Sequence, residues 1–371
     1  MNQIKKYIIG RPDSRLILFV CGFASIGLIL LLSASSYESE KSARDPLALF
    51  VQQSIAVGLG GIVMFLTSLF DYRYLRKFGW ILSVLCICFL CLVDFSSLGI
   101  SAGGSERWLN LGPLTFQPSE IAKIAALILM ADGLANFKWN SGPILLRLII
   151  CLVMAVLILK EPDLGTAVII ISTIGYLLFA SGLNLFLAIG ALVTGFAGVV
   201  LSLQLNPYQM ERFQGWLSPE KDPLGAGYNL LQSYYAIGNG GLFGVGYGNS
   251  IQKLGYLPVS YADYIFPVIS EELGVVGSLL IVGGFVYFLW RGNAAALKIP
   301  GGFGRLLGLG IVFSLALQAI FNLSGVIGLL PMTGVPLPFI SYGKTSIIMT
   351  GFMVGILINL SKHKVVSQNK V

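Results

Sequence analysis

The chain has 371 residues, of which 56% are hydrophobic and only 11% charged, with a formal net charge of +7. Soluble domains carry roughly 25% charged residues, so this composition excludes an ordinary soluble enzyme, and apolar runs long enough to span a bilayer recur along the chain. The single histidine, His363, lies in the C-terminal tail. That excludes Ser-His-Asp and Cys-His chemistry in the body of the protein and leaves carboxylates, lysines and tyrosines as candidate bases.

Residues 1–15 are polar and basic, with Lys5, Lys6, Arg11 and Arg15. The first apolar run, about 16–34, is too long for a signal-peptide core and is followed by more spans, so it reads as a retained anchor. Further spans are expected at about 47–70, 78–97, 117–136, 143–160, 165–181, 183–204, 262–290, 304–330 and 341–360. The expected fold is therefore an all-α polytopic membrane protein, a single domain of ten transmembrane helices. Its 45 glycines suit close helix packing. Only Ser181-Gly182 divides the sixth span from the seventh. A long polar loop, 205–261, separates the seventh from the eighth, and the tail 362–371 reads as disordered at the membrane surface. The five cysteines (Cys21, Cys86, Cys88, Cys91 and Cys151) all lie in apolar runs and read as small packing residues, with neither a disulfide framework nor a zinc site.

Ten spans put both termini on one side. Fifteen of the 24 basic residues but only three of the 17 acids then fall on the side of the N-terminus. Because basic residues concentrate in cytoplasmic segments, this bias predicts an N-in, C-in orientation, with the loops at 98–116 and 205–261 on the outer face.

The outer segments hold the charged residues that a membrane chain has no packing reason to keep. In GGSERWLNLGPLTFQPSEIAK (103–123), Gln117-Pro118-Ser119-Glu120 reads as a helix start with proline in the first turn. Glu120 and Lys123 are three apart and share a helix face. Two readings stand: an internal ion pair, or a phosphate pocket built by Lys123 with Arg107. KEPDLGT (160–166) reads as a solvated turn in which Asp163 caps the next helix.

The glycine-rich run GNGGLFGVGYGNS (238–250) lacks the order of a nucleotide-binding loop, so its glycines read as points of close backbone approach, with Gln252 and Lys253 beside them. YADYIFP (261–267) starts the eighth span, and Asp263 either caps that helix or accepts a proton from a positioned hydroxyl. Asp263 and Ser270 share a face of that helix, flanked by Glu271. Gln318 and Asn322, four apart in the ninth span, are placed to hydrogen-bond across helices. Beyond them Pro331, Pro336 and Pro338 impose a stiff non-helical passage, which at membrane depth must be buried or line a wet cavity.

Taken together, GGSERWLNLGPLTFQPSEIAK, EPDLGTA, KDPLGAGYNLLQS, GVGYGNSIQKLGYLP, DYIFPVISEELG and GLLPMTGVPLPFISYG resemble the SEDS family, the bacterial FtsW, RodA and SpoVE proteins, from the first span to the tenth. The resemblance implies a peptidoglycan glycosyltransferase of the bacterial cytoplasmic membrane. Such an enzyme polymerises lipid II on the outer face, releases undecaprenyl pyrophosphate, and works with a class B penicillin-binding protein and other division or elongation proteins. It has no nucleic-acid partner.

The family's essential aspartate falls on Asp263, its basic residue before Trp on Arg107, its QPSE-x-x-K lysine on Lys123 and its EELG acid on Glu271. Asp263 would serve as general base, with Arg107 and Lys123 offsetting the charge of the departing diphosphate, beside Glu120, Glu271, Lys253 and Lys344. A divalent cation, Mg or Mn, is compatible with such chemistry, though the sequence shows no dedicated cage for one.

Two departures stand out. Pro258-Val259-Ser260-Tyr261-Ala262-Asp263 replaces the usual Pro-Glu-Pro-His-Thr-Asp. Ser341-Tyr342-Gly343-Lys344-Thr345-Ser346 replaces Ser-Tyr-Gly-Gly-Ser-Ser, which puts an unusual cation at the outer mouth, in reach of a pyrophosphate or snorkelling to water. GVGYGNSIQK is closer to FtsW and SpoVE, and TGVPLPF to RodA. The competing functions are a lipid II flippase and a non-catalytic scaffold for the division or elongation machinery.

Overall fold

A computed structural model of the chain describes residues 7–43, 45–96, 99–102, 105–110, 112, 115–135, 143–182 and 185–365. Its helices are α1 (Ser14–Ala43), α2 (Ala48–Leu69), α3 (Leu75–Phe95), α4 (Pro118–Ala135), α5 (Pro143–Lys160), α6 (Leu164–Ala180), α7 (Leu185–Leu205), α8 (Pro207–Leu217), α9 (Tyr228–Gly240), α10 (Ile265–Ala296), α11 (Gly302–Val326) and α12 (Lys344–Ser361). A helix stands at each of the ten places where the apolar runs predict one. Six of them, α1, α2, α3, α10, α11 and α12, are long and apolar enough to cross a membrane. The helix α4 is buried along nearly its whole length and carries Glu120, Lys123 and Asp132 inside the bundle, so each of these charges needs a partner there.

Several boundaries follow from local chemistry. Pro118 opens α4, as its missing N–H allows. The Asp163 carboxylate accepts from the Thr166 N–H at 3.1 Å and caps α6, as expected. Ser181-Gly182 ends α6, with Gly182 at φ +79°.

In five places the structure departs from the sequence reading. The 205–261 segment is no bare loop, since it holds α8 and α9. Asn206 accepts from the Tyr208 N–H and Pro207 occupies the first helical position. The helix α8 is short and polar, so no apolar run announces it. Residues 99–116 carry a small antiparallel sheet, β2 (Gly99–Ala102), β3 (Ser105–Asn110) and β4 (Thr115–Phe116). The first helix runs on to Ala43, past its apolar run.

In the tail, β5 (His363–Val365) pairs antiparallel with β1 (Tyr7–Ile9), and residues 366–371 lie outside the described ones. This pairing puts residues 7–9 and 363–365 together at one end of the bundle. Finally, α10 begins at Ile265, so Asp263 precedes the helix and does not share a helical face with Ser270.

The glycine-rich run behaves as expected. The helix α10 breaks at Gly274 (φ 65°, ψ −165°), which frees carbonyls in the turn before it. Val245 N–H donates to the Glu271 carbonyl at 2.9 Å and Gly246 N–H to that of Glu272 at 3.1 Å. A Cβ on Gly244 would stand 2.1 Å from the Glu272 carbonyl oxygen, so only glycine lets the two backbones meet there.

Candidate active site

Between α8, α9 and the turns at 258–264 and 332–343 lies a cavity of ≈ 580 Å³, lined by Arg107, Arg212, Asp263 and Tyr342 among others. The proline-rich passage after α11 forms part of its wall through Met332, Gly334 and Pro336, so this irregular backbone lines a cavity rather than facing lipid.

Asp263 is held by its backbone. Asn322 Nδ2 donates to the Asp263 carbonyl at 2.9 Å and to the Val335 carbonyl at 2.9 Å. On the residues before it, Ser341 Oγ donates to the Ala262 carbonyl at 2.7 Å and Tyr342 N–H to that of Tyr261 at 3.0 Å. The residue at the start of α10 is Tyr264, and no side chain caps that helix. Capping is thus not the role of the Asp263 carboxylate.

Its surroundings are best read at Gly334. A Cβ there would stand 3.5 Å from each of Arg107 Nη1, Arg212 Nη1 and Asp263 Oδ2. Two guanidinium groups and one carboxylate therefore converge on a single point at the cavity wall. Burial pushes the Asp263 carboxyl above the ordinary carboxylate range; Arg212 and then Arg107 oppose that shift, and Asp163 adds to it. A base raised in this way is better matched to taking a hydroxyl proton near neutral pH than a solvated carboxylate is.

Arg107 leaves β3 and donates from Nη2 to the Pro162 carbonyl at 2.8 Å, while its buried Nε has no partner among the described residues. Arg212, on α8, lies 5.5 Å from the centroid of the Tyr208 ring. Trp216, one turn further on, donates from Nε1 to the Gly328 carbonyl at 2.9 Å and ties α8 to the wall. Behind Arg107 sits Glu161. Burial first, then Asp163 and Asp94, raise its pKa to about 9 against the opposing pull of Arg107, so it is neutral at pH 7.

The other predicted site residues lie elsewhere. Lys123 Nζ is 2.8 Å from Glu120 Oε1 and donates to Gln318 Oε1 at 2.9 Å, enclosed behind the cavity wall. Lys253 Nζ binds Glu272 Oε1 at 2.8 Å, Ser33 Oγ at 2.7 Å and the Gly248 carbonyl at 2.8 Å. Glu271 accepts from Ser250 Oγ and from the Gln252 N–H at 3.2 Å. Lys344 Nζ donates to Gln52 Oε1 at 3.1 Å, between α12 and α2. None of these five lines the cavity.

Of the residues singled out in the sequence, the structure brings Arg107 and Asp263 together. The sequence reading passed over Arg212 and placed Glu161 in a solvated turn at 160–166, whereas Glu161 and Asp163 are both buried. Tyr208, Arg212 and Trp216 recur at a spacing of four, which puts all three on one helix face and was the available signal.

The family described as cell cycle protein, which takes in FtsW, RodA and SpoVE, matches residues 14–366. Stage V sporulation protein E of Bacillus subtilis is 36% identical over 359 residues, covering 95% of this chain and 97% of its own length. A probable peptidoglycan glycosyltransferase FtsW of Trichlorobacter lovleyi is 34% identical over 361 residues, covering 96% of this chain and 95% of that protein. Among solved structures, a chain from work on structural coordination of polymerization and crosslinking by a peptidoglycan synthase complex superposes with a TM-score of 0.76 at 30% identity, covering 94% of this chain and 97% of that one. The rod shape determining protein RodA of Thermus thermophilus gives 0.71 at 28% identity, with 94% and 96% covered.

Proposed function

The chain belongs to the FtsW, RodA and SpoVE family of cell cycle proteins, and from that premise we propose that it is a peptidoglycan glycosyltransferase that polymerises lipid II, with Asp263 as general base. The observation that carries this reading is the convergence of Asp263, Arg107 and Arg212 on one point of the cavity wall.

In the proposed step, the 4-hydroxyl oxygen of the acceptor GlcNAc attacks the anomeric carbon of the donor MurNAc. The bond from that carbon to the diphosphate oxygen breaks, and undecaprenyl pyrophosphate leaves with the electron pair. Asp263 takes the hydroxyl proton, and direct displacement inverts the anomeric centre. Arg107 and Arg212 offset the negative charge that develops on the leaving oxygen, a contribution that grows as bound substrate displaces water. Arg212 here takes the place first given to Lys123, whose ammonium is already bound to Glu120 and Gln318.

Among the described residues, no group of three or more His, Cys, Asp or Glu side chains is arranged to hold a metal ion. At the point where Asp263 meets the cavity wall its charged neighbours are guanidinium groups rather than carboxylates, and no step is assigned to a metal. The wider reading has ten spans, both termini in the cytoplasm and the cavity on the outer face of the cytoplasmic membrane. It also has a class B penicillin-binding protein as partner. The names of the sequence relatives favour a role on the FtsW and SpoVE side.

The test is polymerisation by the purified protein with lipid II supplied in detergent, alone and with a candidate partner. Glycan strands from the wild type and none from Asp263→Ala support the reading. Lipid II movement across vesicles without polymer assigns a flippase. Neither activity, with partner binding retained, assigns a scaffold.

A further inference from the structure

At the end of the bundle that holds both termini, a second cavity of ≈ 420 Å³ opens between the start of α1 and the end of α10. Arg11, Arg15, Arg291 and Lys298 line it, and Asp13 is the one acid there. Asp13 is already engaged: its Oδ2 lies 2.7 Å from Arg291 Nη2, and its Oδ1 accepts from the Leu16 N–H at 3.3 Å. Its own N–H donates to Ser361 Oγ at 3.0 Å, which fastens this corner to α12. Four cations thus face one committed carboxylate.

Basic residues at this end also serve orientation in the membrane, and scattered exposed cations would do that equally well. Orientation alone does not account for a cavity lined by cations from two separate segments with a single, already committed acid among them. An anion with several acceptor oxygens does. The amino end of α1 adds backbone N–H groups that favour the same charge.

The flank of the cavity says how that anion arrives. Leu18 on α1 and Val286 and Trp290 on α10 are exposed large apolar residues one or two turns below it. Trp prefers the depth where headgroups meet acyl chains. An apolar strip running down from a cationic cavity fits acyl chains below a phosphate.

We propose that this cavity binds the phosphate group of an anionic phospholipid, seated in the leaflet on the side of the two termini. The site is separate from the Asp263 cavity and does not depend on the reaction assigned there.

The experiment uses the full chain in phosphatidylcholine nanodiscs with added phosphatidylglycerol, and native mass spectrometry to count retained lipid. The variant is Arg15→Gln with Lys298→Gln, which leaves the Arg291–Asp13 pair in place. The control is Lys77→Gln with Arg305→Gln, two exposed cations outside this cavity. Each charge-assisted contact to the phosphate is worth roughly tenfold in affinity, so the paired variant is expected to retain phosphatidylglycerol about 100-fold less tightly. The control is expected to match the wild type. Equal losses in variant and control would reduce the effect to diffuse surface charge and overturn the site. Unchanged retention in the variant would overturn it as well. Binding of inorganic phosphate, titrated in parallel, without retention of the lipid would overturn the assignment to phospholipid.

Discussion

Two charged regions on the loop-bearing half of the molecule use the same residue types and end in opposite states. Around Lys253, every donor is matched: the ammonium has Glu272, Ser33 and the Gly248 carbonyl, and both residues of the ion pair are almost fully enclosed. Lys123 is likewise enclosed, with Glu120 and Gln318 as its partners. Around Asp263, two guanidinium groups and a carboxylate meet at a cavity wall with open space in front of them. Matched charges hold backbone segments together, whereas a group of charges facing a cavity can act on something that enters it. The comparison separates framework from chemistry, and it can be broken or sharpened by substitution.

Among changes that leave Asp263 in place, Arg212→Gln has the largest expected effect. Removing one preorganised charge at a developing anion lowers the rate about 100- to 1,000-fold. It also removes the larger of the two influences that hold the Asp263 carboxyl down. The acid limb of the pH–rate profile then shifts to higher pH than in the wild type, because the base ionises later. A limb that stays in place or shifts to lower pH would detach Arg212 from Asp263.

Gly334→Ala is the next test. A methyl there sits 3.5 Å from all three charged groups, an ordinary contact, at a φ of 70° that disfavours any side chain. The strain is about 1–2 kcal/mol, and intrusion into the reacting geometry lowers the rate by up to about 100-fold. Full turnover by the folded variant would remove substrate from that point.

Lys253→Met should do the reverse. It leaves Glu272 buried without its partner, at a cost of about 3–5 kcal/mol. The thermal midpoint falls while turnover per folded molecule stays within about threefold of the wild type, well short of the loss from removing a catalytic group.

Glu161→Gln has the smallest expected effect on turnover at pH 7, because a carboxyl with a pKa of about 9 is already neutral there. In turnover the two enzymes part only as the pH rises through that value, where the native Glu161 ionises. In stability they part earlier: since the folded pKa lies above the unfolded one, the contribution of Glu161 is whole below the unfolded pKa and is lost between it and about 9, so at pH 7 the thermal midpoint of Glu161→Gln lies at or above that of the wild type.

The helices on the ten apolar runs were legible because a membrane bundle demands long hydrophobic stretches, six of which are long and apolar enough to cross a membrane, and because Pro118, Asp163 and Gly182 punctuate them by plain local rules. Arg107 and Asp263 were legible through motifs. Lys123, Lys253 and Glu271 were read as ligands for the same reason, since a sequence gives a residue's type but not the partner it meets across the bundle. Lys123 meets Gln318, and Lys253 meets Ser33, from opposite parts of the chain. Arg212 was missed because α8 is too short and too polar to announce itself as a helix, and without the helix its alignment with Tyr208 and Trp216 carries no meaning.

The most direct measurement is strand synthesis per folded molecule by purified Asp263→Asn at saturating lipid II, with its thermal midpoint recorded at pH 7. Burial outweighs the two arginines at this carboxyl, so its folded pKa lies above the unfolded one and its ionised form weakens the fold as the pH rises. The account predicts a rate lower by about 100- to 10,000-fold, as loss of a general base gives, with a thermal midpoint at or above that of the wild type. Synthesis within about threefold of the wild-type rate would contradict it, and so would a collapse in activity that merely follows a fall in stability.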